Sequence, residues 1–251
     1  MARRVPDTVV EPRCVAAGFM AFCLALNTRS EDTFPLPAFS IAPLGGEVIP
    51  GWQPIYIPSV KRHTAFAITE DEGQRVLRVR AEASAASLAT PLNINPLSYP
   101  RLRWRWKLPQ HNPKTNLLTK KGDDYPARLY VMFHYDLDKL GFLDRTKLRI
   151  ARKLYGEQVP AAALCYVWDP KHPAGTTAWN AYTNRVRMIV VRSGEEKLGQ
   201  WVVEERNIAQ DFKAAFGDDP PMISGIAVGG DSDNTGETTT SFVSDLTLTG
   251  P

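Results

Sequence analysis

The chain has 251 residues and nearly balanced charge, with 30 Lys and Arg residues against 27 Asp and Glu residues and a formal net charge of +3. So small a positive excess gives no reason to expect a nucleic-acid partner, and we predict none. The 20 prolines and 17 glycines favour many short strands joined by turns over long helices.

Residues 1–30 have the features of a signal peptide. Cys14–Leu26 is an unbroken apolar run of 13 residues, which is too short to span a bilayer but typical of the apolar region of a secretory signal. We therefore predict export, to the periplasm or the medium. The triplet Ala25–Asn27 is a poor cleavage site, and a buried N-terminal helix or strand is the alternative interpretation.

Residues 34–251 are predicted to form a single β-sandwich domain. The clearest signal is Arg101–Leu108, where Leu and Trp residues alternate with Arg and Lys residues. A strand sorts such residues onto two faces, so the pattern predicts a half-buried antiparallel strand. Further strands are predicted at 75–83, 127–135, 162–168, 185–192, 200–206, 223–228 and 240–249. Their length and spacing favour an all-β, antiparallel two-sheet sandwich of the jelly-roll type.

Two segments have the period of a helix instead. Residues 140–155 carry apolar residues at helical spacing among Arg and Lys residues, which predicts a basic amphipathic helix inserted between two strands. Such a helix is suited to contact with an anionic membrane. Residues 208–216 predict a second short helix that ends at Gly217.

Two of the three cysteines lie in the leader, so an exported domain would keep only Cys165 and no intramolecular disulfide. Cys165 lies in an apolar stretch, which predicts a buried, unreactive thiol. The sequence contains no phosphate-binding glycine loop, no nucleophile elbow and no histidine pair at zinc spacing.

The densest polar cluster is the stretch 229–237. Asp231, Asp233, Asn234 and Glu237 place hard oxygen donors on a flexible turn, and calcium prefers donors of this type. The interval is shorter than an EF-hand loop and lacks its helices. A tight polar hairpin, whose Asp and Asn side chains cap their own turn, is the alternative.

The carboxylates also permit a catalytic interpretation. Asp124, with Asp231 or Glu237, could supply the acid and base of a polysaccharide-acting enzyme if the fold brings them together. A glycosidase needs two carboxyl groups about 5 to 9 Å apart across the sugar. Solvated or salt-bridged carboxylates are the simpler interpretation.

Residues 176–184 predict a polar loop that carries two aromatic rings. Exposed Trp179 and Tyr182, beside Asn180 and Asn184, would stack on sugar rings and hydrogen-bond to hydroxyl groups. The alternative is that the Trp179 ring anchors the loop.

The basic row on strand 101–108 predicts a positively charged sheet face. We expect Arg78, Arg80, Arg185 and Arg187 to extend it from neighbouring strands. Such a face suits an acidic polysaccharide or a phosphate-bearing ligand. A solvated face is the simpler interpretation, with the arginines paired to Glu82, Glu204 and Glu205.

Five ordered segments resemble the motifs of one bacterial family. They are Leu102–Lys107, Asp123–Val131, Ala163–Trp168, Asp211–Phe212 with Phe216–Gly217, and Gly230–Gly236. Together they resemble the bacterial domain of unknown function DUF3047, over most of the chain after Phe39. The resemblance implies an exported bacterial protein, but no functional residues, because the family has no assigned activity.

The last strand has a wider resemblance. Phe242–Leu248 is similar to the final strand of jelly-roll carbohydrate-binding modules with a galactose-binding-like fold. In those modules an Asp before alternating apolar residues often helps to hold a structural calcium. The resemblance therefore implies Asp245 as a further metal ligand.

We conclude from the sequence that the chain is an exported, non-catalytic binding module for a glycan or a cell-envelope component, with calcium as the candidate stabilising ion. A polysaccharide-acting enzyme is one alternative. An envelope-associated structural protein, docked on the membrane through helix 140–155, is the other.

Overall fold

A computed structural model describes Met1 and residues 32–46, 48–155 and 160–251. Apart from Met1, the predicted signal peptide, residues 1–30, lies outside the described residues. Glu31–Pro251 form one compact unit. In the described part of the chain, no helix has the length and apolar character needed to cross a membrane.

The described residues form fourteen strands and two α-helices. The helices are α1 (Phe142–Tyr155) and α2 (Ile208–Phe216). The strands are β1 (Thr33–Phe34), β2 (Gln53–Ile55), β3 (Ala65–Asp71), β4 (Gln74–Glu82), β5 (Ala85–Ile94), β6 (Arg101–Lys107), β7 (Arg128–Phe133), β8 (Ala163–Asp169), β9 (Thr177–Asn180), β10 (Thr183–Ser193), β11 (Val202–Asn207), β12 (Ile223–Asp231), β13 (Thr238–Val243) and β14 (Thr247–Thr249).

The strands form two sheets, which confirms the predicted two-sheet sandwich. Sheet I has the order β1-β14-β6-β13-β4-β3, with β11 paired to β6, and sheet II has the order β2-β5-β12-β7-β8-β10-β9. Among the described pairings only β8 with β10 is parallel. This parallel pairing follows from the path of the chain. After β8 the chain runs back along the edge of the sheet as β9, and it then turns so that β10 lies between β9 and β8.

Aromatic side chains join the two sheets in the core. Trp104 and Trp106 of β6 are each 1% exposed, as their alternation with basic residues predicts. The Trp104 ring lies 5.5 Å from the Tyr166 ring of β8, and Trp106 lies 6.3 Å from Trp168. Burial of such large rings supplies much of the apolar area that holds a sandwich together.

Strand β8 is buried along its whole length because both of its faces are covered. One face contacts the core, and the other packs under a second apolar cluster that includes Leu117, Tyr125 and Met188. Cys165 belongs to this second cluster and is fully buried, as predicted. Burial raises the pKa of its thiol to about 12, so the thiolate is scarce at neutral pH.

Both predicted helices are present. Helix α2 begins after Asn207, whose side chain accepts a hydrogen bond from the Gln210 N–H, and it ends at left-handed Gly217. Helix α1 buries Leu148 and exposes Phe142 and Ile150.

The predicted basic face is confirmed only in part. Glu82 pairs with Arg80, and Glu205 pairs with Arg101, as the solvated-face interpretation requires. Arg185 and Arg187 were assigned to the wrong sheet, because β10 belongs to sheet II. Glu204 was expected to pair with an arginine of the basic face. It is buried instead and pairs with Arg192 of sheet II.

The close approach of β12 to β4 generates a stability prediction. A Cβ on Gly230 would lie 2.7 Å from Val79 Cγ1 and 2.8 Å from the Pro126 carbonyl oxygen. We therefore expect Gly230→Ala to lower the free energy of unfolding by about 1–3 kcal/mol, measured by urea denaturation. Gly141→Ala, where a Cβ meets open space, is the matched control. Equal stability of the two variants would contradict this packing.

Candidate functional site

A pocket of about 410 Å³, the sheet II pocket, opens on the face of sheet II that points away from the core. Strand alternation creates it, because Arg128, Tyr130 and Met132 project to this face while Leu129 and Val131 enter the core. Its apolar part is lined by Ile55, Ile57, Val60, Tyr130, Met132, Val186 and Ala227. Its polar end is formed by Asp123, Arg128, Asn180, Tyr182, Asp231, Asp233 and Asn234.

Arg128 is the central charge at the polar end and is 2% exposed. Its Nη1 and Nη2 donate to Asp123 Oδ1 at 3.1 and 3.0 Å. Its Nε donates to Asp231 Oδ1 at 2.9 Å, and its Nη2 lies 2.8 Å from Asp231 Oδ2. Burial lowers the pKa of Arg128, but the two carboxylates outweigh burial and hold that pKa well above its usual value.

Asp124 is fully buried and organises the acidic turn, residues 231–237. Its carboxylate accepts hydrogen bonds from Asn234 Nδ2 at 3.0 Å and from the Thr235 N–H at 2.7 Å. The turn therefore folds onto Asp124 instead of capping only itself. Oxygen atoms of Asp124, Asp231 and Asp233 all lie within 4.8 Å of one another. Three carboxylates at this separation could hold a metal ion.

Crowding of carboxylates alters their titration. Burial raises the pKa of Asp231 to about 7, with Asp124 adding to the effect and Arg128 opposing it. Burial, again with the charge of Asp124, also raises the pKa of Asp233. A proton or a cation would relieve the repulsion at this end of the pocket.

The β9–β10 hairpin closes the polar end. Asn180 Nδ2 donates to Asp123 Oδ2 at 2.7 Å. The Tyr182 hydroxyl donates to Asn234 Oδ1 at 2.6 Å, and the ring remains 42% exposed. Two of the four residues predicted to bind a sugar thus line the sheet II pocket.

The other two lie elsewhere. The segment 176–184 is a hairpin and not the predicted loop, so Trp179 and Asn180 project to opposite faces. The Trp179 ring packs 5.5 Å from the Phe216 ring and under Arg187. The ring is 38% exposed, and its contact with Phe216 is the kind that the anchoring alternative predicts. Asn184 is exposed and does not line the pocket.

Two predicted metal ligands lie outside the carboxylate cluster. Glu237 forms an ion pair with Lys114, with 2.6 Å between Oε1 and Nζ. Asp245 Oδ1 accepts hydrogen bonds from the Phe39 and Ser40 N–H groups at 2.6 and 3.0 Å. Its structural role is to tie the segment before β2 to the end of sheet I.

Arg128, Tyr130 and Met132 were not among the residues predicted for the site. A signal for them was present, because a charged residue, a tyrosine and a methionine alternate with Leu129, Val131 and Phe133. That pattern predicts a strand with a second, functional face. No local signal pointed to Ile55, Ile57 or Val60.

The family model described as protein of unknown function, DUF3047, matches residues 50–247. The chain belongs to this family. No curated protein matches it. Among solved structures, the chain is similar to the family 11 carbohydrate-binding module from Clostridium thermocellum in complex with a β-1,3-1,4-mixed-linked tetrasaccharide. The two chains are 9% identical with a TM-score of 0.39, over 88% of this chain and 95% of that chain.

The raised pKa of Asp231 predicts a specific pH dependence. The folded chain holds a proton on Asp231 up to about pH 7, whereas the unfolded chain releases it near 3.8, so stability falls as pH rises between these values. Between pH 5 and pH 8 we expect the wild type to lose about 2–3 kcal/mol more unfolding free energy than Asp231→Asn, by urea denaturation.

The control for this experiment is Asp219→Asn, because Asp219 is 80% exposed and lies on the surface beside Lys213. It should follow the wild-type pH profile. Parallel profiles for the wild type and Asp231→Asn would contradict the titration of Asp231 in this range.

Proposed function

We propose that the chain is a non-catalytic module that binds a glycan in the sheet II pocket. The observation that carries the proposal is the division of this pocket into an apolar part and a polar end. A sugar ring has apolar C–H faces and hydroxyl groups at its edge. The ring faces would pack on Met132, Val186 and the exposed Tyr182 ring, while the hydroxyl groups reach Asn180 and Asp233.

The carboxylate geometry supports binding over catalysis. Asp124 is fully buried and bonded to the acidic turn, and Asp231 is paired with Arg128. Asp124 does not line the pocket, and its nearest oxygen lies within 4.8 Å of Asp231, whereas a glycosidase holds two carboxyl groups about 5 to 9 Å apart on opposite sides of the sugar. Glu237 lies outside the pocket lining. Release of reducing ends from a bound polysaccharide would favour the enzyme alternative.

Glycan binding can be tested with variants of one hairpin. We expect an array of neutral, amino and acidic oligosaccharides to yield a bound ligand, and Tyr182→Ala to weaken its binding about tenfold or more by calorimetry. Asn184→Ala is the matched control, because Asn184 is exposed on the same hairpin but does not line the pocket. No bound oligosaccharide, or equal losses in both variants, would rule out this site.

We further propose calcium as the ion that neutralises Asp124, Asp231 and Asp233. Carboxylate oxygens are the ligands that calcium prefers, and the excess of negative charge around Arg128 supports a cation here.

Saturating calcium should raise the melting temperature by about 5 °C or more, as measured by differential scanning fluorimetry against chelator-treated protein. Asp233→Asn should abolish the increase. Glu237→Gln should retain it, because Glu237 pairs with Lys114 away from the cluster. An unchanged wild-type melting temperature would remove calcium from the proposal.

Export to the periplasm or the medium is also proposed, on the apolar run within residues 1–30. Fractionation of cells expressing the full chain, with N-terminal sequencing of the product, measures it directly. Recovery of the uncleaved chain in the cytosol alone would refute export.

The envelope-associated alternative has one supporting observation, which concerns helix α1. Phe142, Leu143 and Ile150 are 82%, 72% and 55% exposed, beside the exposed cations Arg149 and Lys153. Apolar side chains next to cations suit an anionic membrane surface. Sedimentation with anionic vesicles tests this contact, and protein that stays in the supernatant would dismiss it.

A further inference from the structure

The outer face of sheet I contains a second concave site, of about 700 Å³, which we call the arginine groove. Three guanidinium groups line it, from Arg75 on β4 and from Arg103 and Arg105 on β6. Arg103 and Arg105 are alternate residues of one strand, so they project to the same face about 7 Å apart. The sheet II pocket lies on the other side of the sandwich core.

None of the groove arginines forms an ion pair with a described carboxylate; Glu205, which lies opposite Arg103 in the strand register, pairs with Arg101 instead. Arg103 has no hydrogen bond or ion pair with any described residue. Arg105 donates to the amide oxygen of Gln74 and Arg75 to the carbonyl oxygen of Ala42, and both of these acceptors are neutral. Other cations on the same face differ, since Arg80 pairs with Glu82.

The one carboxylate that lines the groove is already bonded elsewhere. Asp245 accepts the Phe39 and Ser40 N–H groups on Oδ1 and the Ser40 hydroxyl on Oδ2. These bonds direct its oxygens toward the segment before β2. The groove therefore presents three guanidinium groups to solvent with one carboxylate beside them, and its net charge is positive.

We propose that the arginine groove binds the anionic groups of an acidic polysaccharide. The guanidinium fork matches the paired oxygens of a carboxylate or sulfate. Gln74 and Thr247 add an amide and a hydroxyl group that can bond to sugar hydroxyls. The large apolar residue of the lining, Trp104, is 1% exposed, so the groove offers no apolar surface to a lipid bilayer.

The test compares heparin and polygalacturonate with neutral dextran, using the full chain and calorimetry at low ionic strength and at about 0.3 M NaCl. We expect both polyanions to bind, dextran not to bind to this groove, and added salt to weaken binding. Arg103→Gln should reduce affinity about fivefold or more, because a charge-assisted hydrogen bond is lost.

The matched control is Arg80→Gln, which removes a cation from the same face but one that is paired with Glu82. Its affinity should stay within about twofold of the wild type. Tyr182→Ala, in the sheet II pocket, should leave heparin binding unchanged, which separates this proposal from glycan binding in that pocket.

Absence of binding to both polyanions would overturn the proposal. So would equal losses in Arg103→Gln and Arg80→Gln, since that result means nonspecific attraction to the whole face. Tighter binding to anionic vesicles or to duplex DNA than to either polysaccharide, sensitive to Arg103→Gln, would assign the groove to a different partner.

Discussion

Arg128 is a buried cation, and the polar end of the sheet II pocket is built around the need to pair it. Its side chain is 2% exposed, and an unpaired charge at that depth would cost several kcal/mol of folding free energy. Asp123 approaches it from the segment before β7, while Asp231 approaches from β12, 103 positions along the chain. Pairing therefore brings these two segments together, and the acidic turn follows because Asp124 holds its backbone.

The same pairing leaves the site with more negative charge than one guanidinium can neutralise. Asp231 responds with a pKa raised to about 7 by burial and by its neighbour Asp124. Sheet I has the opposite imbalance, because Arg103 lies on its outer face without a described carboxylate partner. An aromatic core separates the two faces. The fold thus presents an acidic pocket on sheet II and a basic groove on sheet I.

Short-range patterns predicted most elements of the fold. Trp104 and Trp106 were expected to face inward because alternate residues of a strand share a face, and both are buried. Helix α2 has its predicted bounds, since Gly217 is a local signal for its end. The loop predicted at 176–184 was wrong. Its polar residues suggest a loop, whereas pairing of β9 with β10 makes the segment a hairpin.

The sequence by itself determined the alternation within β6 and β7, the acidic composition of the turn and the row of arginines on one strand face, because all of these are relations between near neighbours. Only the tertiary structure decided which polar groups meet. The tertiary structure brought the carboxylates of Asp124 and Asp231 close together and paired Glu237 with Lys114. It also placed Asp245 against the segment before β2. The physical reason is that such contacts depend on strand order and register between distant segments, which no local pattern specifies.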